Sequence, residues 1–313
     1  MIEREHDTRQ AIDQDGAIET RHVLIVANPK AGGFSEATLA TIAAALAENA
    51  RHVEQRLSTR EGDIRDIVAD IGGAFDVVAV HGGDGSINEA VDGLRRIEGR
   101  RPALAIIAGG TANVLALETG ARFDATQIAR DIIDGRTTPL HYGLANGRPF
   151  VLMASAGLDA AVVHGLSRRL KAAIGKGAYV AAAIAQKLRP RTPDLVVTAA
   201  GQSIVCRLAI CAKASRYGGD FVVAPGTHAT RAGLQLVIVE NDGLLNLLRI
   251  GWRLMTGGRV DDAGLYALAA DEVDIAAVSP APAQVDGDPF GTTPLRATLA
   301  TPPLKLIGAR RTR

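Results

Sequence analysis

The residues best suited to chemistry stand at 82–89, where Gly82-Gly83-Asp84-Gly85-Ser86-Ile87-Asn88-Glu89 follows the apolar run Val77–Val80. Three glycines tolerate positive φ and put no Cβ in the way, so backbone N–H groups can approach an anion closely. Ile87, Ala90, Val91 and Leu94 recur at helical spacing, so the turn opens a helix whose first amides and positive dipole end also favour an anion. Asp84 would repel a bare phosphate and calls for a cation between them, which a magnesium-bound nucleotide supplies. The same turn also reads as a strand-to-helix connection whose glycines serve geometry alone.

Two further loops repeat the pattern. Ala103–Ile107 lead into Gly109-Gly110-Thr111-Ala112-Asn113 and a helical run at Val114, Leu115 and Leu117. Val23–Ala27 lead into Asn28-Pro29-Lys30-Ala31-Gly32-Gly33 and a helix from about Ser35 to Glu48. In a parallel sheet such loops open at one carboxyl edge, where ligands bind in α/β folds.

The elements that must position these loops alternate up to about Leu140. Strands are expected at Val23–Ala27, His52–Leu57, Asp76–Val80 and Ala103–Ile107, with an edge strand near Thr137–His141. Helical patterns between them make residues 22–140 a doubly wound parallel α/β domain. Beyond it, alternating runs at Leu195–Thr198, Ser203–Ile210, Phe221–Val223, Leu234–Val239 and Asp274–Val278 predict an antiparallel β-sandwich over 141–313. Two helices, about Gly165–Lys187 and Gly243–Thr256, interrupt it. The active site is expected in the cleft between the domains.

Composition excludes several classes of function. The 313 residues are 47% hydrophobic and 22% charged, ordinary for two globular cores, and a net charge of +1 gives no pull toward nucleic acid. Cys206 and Cys211 lie five apart in one apolar run, which on a single strand points them to opposite faces as inert thiols. No apolar run reaches the roughly 18 residues of a spanning helix. Met1–Arg21 is polar with six acids and lacks an apolar core region, so a disordered tail is expected and a signal peptide is not. These features predict a cytoplasmic protein.

The set Asn28-Pro29 with Ala31-Gly32, then residues 82–89, then Gly110-Thr111-Ala112-Asn113, resembles the diacylglycerol kinase catalytic-domain family, which includes bacterial lipid kinases, diacylglycerol kinases and sphingosine kinases. The resemblance continues through Phe150 to Gly157, Leu170 to Gly175, Ala224-Pro225-Gly226 and Val285 to Pro289, nearly the whole chain. It implies that a last strand near Leu304–Ile307 returns to the first domain. It also implies ATP and Mg²⁺ as cofactors, with nucleotide contact at Asn28, Ser58, Gly82, Gly83, Asp84, Gly85, Ser86, Asn88, Glu89, Gly110 and Thr111, and with Asp84 directed at the nucleotide-bound magnesium. Ser58, Ser86 and Thr111 suit helix capping equally well.

By the same resemblance the catalytic base is the last residue of an Asp-Gly-Glu segment, which here reads Asp286-Gly287-Asp288. Asp288 keeps the carboxylate one methylene shorter, with Asp286 as an orienting partner; Asp-Gly is also a hairpin signal. Two departures stand out. Val114 replaces an aspartate common in the family, and Arg231-Ala232-Gly233-Leu234 replaces an Asp-Gly-Leu that helps hold a structural magnesium. Arginine cannot ligate a cation, so its guanidinium is expected to substitute for that second ion.

Evidence for the acceptor is indirect. Ala160–Pro193 has no acid and seven cations, Arg168 through Arg191, which suits either an anionic membrane surface or a solvated helix face. Leu244, Leu247, Leu248, Trp252 and Met255 share helical spacing and suit either core or a lipid pocket. The partners expected are ATP and a membrane lipid met at the inner membrane face, and a homodimer is an admissible assembly. Three readings follow: an ATP-dependent kinase of diacylglycerol, a related glycerolipid or a long-chain base; an NAD kinase-like enzyme with a soluble acceptor; and a non-catalytic nucleotide- or lipid-binding homologue.

Overall fold

The computed structural model describes residues 16–49, 51–158, 160, 193–217, 221–243, 246, 249–250 and 265–310. The first domain runs β1 (Gly16–Ala17), β2 (His22–Ala27), α1 (Glu36–Glu48), β3 (His52–Leu57), α2 (Asp63–Ile71), β4 (Val77–Gly82), α3 (Asp84–Arg96), β5 (Ala103–Ala108), α4 (Val114–Thr119), α5 (Ala125–Asp134) and β6 (Arg136–Leu140). The second contributes β7 (Gly143–Ala145), β8 (Arg148–Phe150), β9 (Met153–Gly157), β10 (Leu195–Ala199), β11 (Gln202–Cys206), β12 (Leu208–Ala212), β13 (Arg216–Tyr217), β14 (Phe221–Val222), β15 (Leu234–Val239), β16 (Leu265–Ala270), β17 (Glu272–Ala277), β18 (Pro282–Val285), β19 (Asp288–Thr292) and β20 (Leu295–Leu299). The chain then re-enters the first sheet as β21 (Leu304–Ile307).

The first sheet has the order β1-β6-β21-β5-β4-β2-β3, and β3, β2, β4, β5 and β21 run parallel. Its strands are apolar on both faces because helices cover both. Val23, Ile25, Val77 and Ala79 pack on α1 and α5 through Leu39, Ile42, Ile128 and Ile132. Leu24, Val26, Val78 and Val80 pack on α2 and α3 through Ile64, Val68, Ile87 and Val91. Two helix starts are locally specified: Ser35 Oγ accepts from Thr38 N at 3.2 Å ahead of α1, and Asp124 Oδ1 accepts from Gln127 N at 2.9 Å ahead of α5.

Two six-stranded antiparallel sheets, β11-β10-β17-β20-β7-β8 and β16-β15-β12-β9-β18-β19, form the second domain. Leu195, Val197, Ile275 and Leu295 from one face Leu236, Ile238, Ala283 and Val285 from the other. The outer side of the second sheet carries Met153, Ile210, Ala212, Val237 and Val239 into the same core as α2 and α3. Apolar packing therefore runs continuously across the domain junction.

Three expectations change. Residues 16–21 do not belong to a tail: Gly16 and Ala17 pair with Thr137 and Arg136, and Thr20 is buried. The run Ser203–Ile210 is two strands in two sheets. The chain crosses the sandwich at Arg207, whose guanidinium pairs with Asp194 and reaches Asp242 at 3.7 Å. Consequently Cys206 and Cys211 sit on different strands and both face the sandwich core, where burial pushes each thiol up to about 12. The expected helix at Gly165–Lys187, the basic segment Arg168–Arg191 and most of Gly243–Thr256 lie outside the described residues. Among the described residues no helix is long and apolar enough to cross a membrane.

Candidate active site

Three loops at the carboxyl edge of the first sheet are stitched together by backbone hydrogen bonds. Asn28 N donates to His81 O at 3.0 Å, Gly109 N to Gly82 O at 2.9 Å, and Gly33 N to Gly109 O at 2.8 Å. The spacing is too close for side chains: a Cβ on Gly110 would stand 2.4 Å from Gly83 Cα, and one on Gly82 would stand 2.3 Å from Ser86 Oγ. Gly83 is the N-cap of α3 and contributes no capping side chain. The first amides and dipole of a 13-residue helix are thereby available to an anion.

These loops line a cavity of about 940 Å³ whose far wall belongs to the second domain. Asn28, Ser58, Gly83, Gly85, Ser86, Gly110 and Thr111 face it from the first domain, while Arg148, Pro149, Asp286 and Asp288 face it from the second. Lys30, Arg60 and Arg65 add positive charge on the first-domain side. Glu89 Oε1 accepts from Gly62 N at 3.0 Å, and its Oε2 is buried without a hydrogen-bond partner among the described residues.

Asp286 and Gly287 are the two central residues of the β18–β19 hairpin, with φ of 49° and 86°, as a type I′ turn requires. The turn aims its two carboxylates apart. Asp286 is partly buried and its carboxylate is saturated: Oδ2 accepts from Asn88 Nδ2 at 2.6 Å and Val151 N at 2.8 Å, and Oδ1 accepts from Leu152 N at 2.9 Å and Met153 N at 2.8 Å. Burial pushes its pKa up to about 6 against those four donors. Asp288 is half exposed and stands 3.7 Å from the Arg148 guanidinium, which itself lies over the Phe290 ring at 5.5 Å.

Residues 22–145 match the model of the diacylglycerol kinase catalytic domain, and 153–308 match that of the YegS C-terminal NAD kinase beta sandwich-like domain. The chain belongs to the diacylglycerol kinase catalytic-domain family. A diacylglycerol kinase of Bacillus subtilis (strain 168) is 25% identical over 84% of this chain and 82% of its own. A YegS-like lipid kinase of Pseudomonas aeruginosa (strain UCBPP-PA14) is 33% identical over 50% of this chain and 51% of its own. Among solved structures, one from Bacillus anthracis str. Sterne superposes with a TM-score of 0.81 at 23% identity, covering 95% of this chain and 97% of that one. Another, a diacylglycerol kinase from the same organism, gives 0.74 at 20% identity over 94% and 98%. Membership makes this a kinase that transfers a phosphoryl group to an alcohol, within a family of lipid kinases.

Within this family member the cavity gathers ten of the expected site residues, Asp288 among them, and leaves out Gly82 and Asp84. Asp84 does not face the cavity. Its Oδ2 accepts from Val114 N at 3.0 Å and its Oδ1 from Leu115 N at 2.9 Å, so it caps α4 from the neighbouring loop and is not directed at a nucleotide-bound magnesium. Asn88 lines the cavity, yet its amide N–H₂ is engaged by Asp286 and by Pro149 O at 2.9 Å, which makes it a clamp between domains. Gly82 lies under Ser86, and Gly110 N donates to Asn113 Oδ1 at 2.8 Å, within its own loop. Arg231 is exposed and does not fill an interior cation position; the buried cation nearby is Lys213. The cavity cations Lys30, Arg60, Arg65 and Arg148 were missed, though Lys30 directly follows Asn28-Pro29.

Proposed function

We propose that the chain is an ATP-dependent lipid kinase that transfers the γ-phosphoryl group to a hydroxyl of diacylglycerol, a related glycerolipid or a long-chain base. The observation that carries this reading is that the half-exposed Asp288 carboxylate shares one cavity with the amides at the head of α3. The amides and the cations Lys30, Arg60 and Arg148 hold the phosphates, while Ser58 and Thr111 offer neutral hydrogen bonds. Asp288 takes the proton of the acceptor hydroxyl as its oxygen bonds to the γ-phosphorus, the bond to the β–γ bridging oxygen breaks, and ADP leaves.

Magnesium brought by ATP keeps mostly phosphate and water ligands and would neutralise phosphate charge. No cluster of three His, Cys, Asp or Glu side chains able to hold a metal exists among the described residues, and such an ion needs none; Glu89 and Asp288 are among the carboxylates that line the cavity and would face it. The acceptor is drawn from a membrane surface, for which the cations between Arg168 and Arg191 are suited.

The test is transfer of label from ATP, with Mg²⁺, into detergent-dispersed diacylglycerol or into NAD⁺. Label is expected in the lipid fraction; label confined to NADP⁺ would replace this reading with the soluble-acceptor one. A second check lies in the loops. Gly110→Ala drives a methyl into Gly83, so the two phosphate loops must part. The expected results are a KM for ATP raised about tenfold, equivalent to about 1.4 kcal/mol, and a stability loss of about 1–3 kcal/mol by denaturant titration. An unchanged KM would remove these loops from nucleotide binding.

A further inference from the structure

Lys213 follows β12 directly and is 0% exposed. Its ammonium has three protons and three oxygens around it: Gly233 O at 2.8 Å, His228 O at 2.9 Å and Thr227 Oγ1 at 3.2 Å. All three are neutral oxygens on the loop between β14 and β15. That loop in turn docks at the end of β6, where the N–H of the next residue, His141, donates to Ala229 O at 2.9 Å. His228 Nε2 lies 2.8 Å from the carbonyl of Glu118, and because a carbonyl can only accept, this nitrogen is the donor.

Glu118, at the end of α4, is also buried and supplies the counter-charge. Ser215 N donates to its Oε1 at 2.9 Å and Ser215 Oγ to its Oε2 at 2.6 Å, and Arg216 stands 3.9 Å away. Burial lowers the Lys213 pKa to about 8 against the raising influence of Glu118, so the amine remains protonated at neutral pH.

The resemblance implies a structural magnesium beside this loop, but the residues present do not fit one. A divalent ion requires oxygen ligands with carboxylates among them. Here Ala232 stands where the Asp-Gly-Leu pattern has its aspartate, the exposed Arg231 precedes it, and the oxygens converge on an ammonium. We propose that Lys213 is a tethered cation that takes the place of a structural metal, holding the 227–233 loop in the form that docks on α4 and β6.

Thermal unfolding of the full chain without nucleotide tests this. The wild-type midpoint is expected to stay within about 1 °C in EDTA, Mg²⁺ or Ca²⁺. Lys213→Met fills the volume but donates nothing, and should lower the midpoint by about 5–10 °C. Lys213→Ala opens the site, and ammonium or methylammonium should recover part of its loss but none of the loss in Lys213→Met. A wild-type midpoint that falls in EDTA would overturn the proposal by revealing a metal. A Lys213→Met protein as stable as wild type would overturn it too. If Lys213→Ala stays unfolded or gains nothing in ammonium, the cage does not act as a cation site and the proposal also fails.

Discussion

Asp288→Asn is expected to lower kcat by about 10²–10⁴-fold while KM for ATP changes less than about threefold. The variant keeps the shape of the side chain and removes only its capacity to take a proton. Asp288 sits at the start of β19, outside the buried hydrogen-bond set of its neighbour Asp286, so the hairpin itself does not depend on it. Its partner in the cavity is Arg148 at 3.7 Å, and its half-exposed position is one an acceptor hydroxyl can reach. Asp288→Glu keeps the base but displaces it by one methylene, and its loss is expected to be smaller than that of Asp288→Asn, on the order of the 100-fold that a misplacement of about 1 Å can cost. Steady-state kinetics on the two variants separate the roles. If Asp288→Asn turns over at the wild-type rate, the proton goes elsewhere and the base assignment is wrong.

The second large effect concerns stability. Asp286→Asn should cost about 3 kcal/mol or more, because either orientation of the amide turns its N–H₂ toward two N–H donors and leaves them without an acceptor. Those donors come from Asn88 in α3 and from the Val151–Met153 backbone, so the loss loosens the junction that forms the cavity. The pH dependence supplies an independent signature. Burial raises this carboxyl from 3.8 to about 6, so between those values the folded protein holds a proton that the unfolded chain has released. Its contribution to stability is therefore full below about pH 4 and is lost as pH rises through 6, a swing of about 3 kcal/mol. Asp286→Asn lacks this swing, and the gap between variant and wild type should widen from pH 7 to pH 5 in urea titrations. A constant gap would show that Asp286 does not titrate in that window.

Much of the first domain was legible because its signals are local. Val23–Ala27, Val77–Val80 and Ala103–Ile107 are apolar on both faces, and each is followed by glycine and a helical repeat. A strand covered on both sides admits few other patterns. Boundaries failed where neighbours decided them. The apolar run through Cys206 and Cys211 reads as one strand, and the break at Arg207 appears only once two facing sheets claim its halves. The hairpin at Asp286-Gly287 was readable as a turn, but its choice of a saturated and an exposed carboxylate depends on which amides α3 and β9 present.

Among the site residues, those whose backbone does the work were readable from type and spacing. Gly83 and Gly110 must lack side chains because two loops touch there. Residues acting through side chains over long separations were not. Asp84 beside glycines suggests a metal, yet its oxygens cap a helix 30 residues away; Asn88 in a nucleotide motif clamps a turn 198 residues away. A side chain's direction is set by the groups that desolvate it, and those are absent from its local sequence.

By itself, then, the sequence determined the alternation of strands and helices, the three glycine loops at one sheet edge and the family, because hydrophobic period and backbone freedom are local properties. Only the tertiary structure decided that Asp288 is half exposed in the cavity while Asp286 is saturated with hydrogen bonds, that Asp84 is a cap, and that Lys213 and not Arg231 is the interior cation. Burial and hydrogen-bond saturation make those choices, and both arise only when distant segments meet.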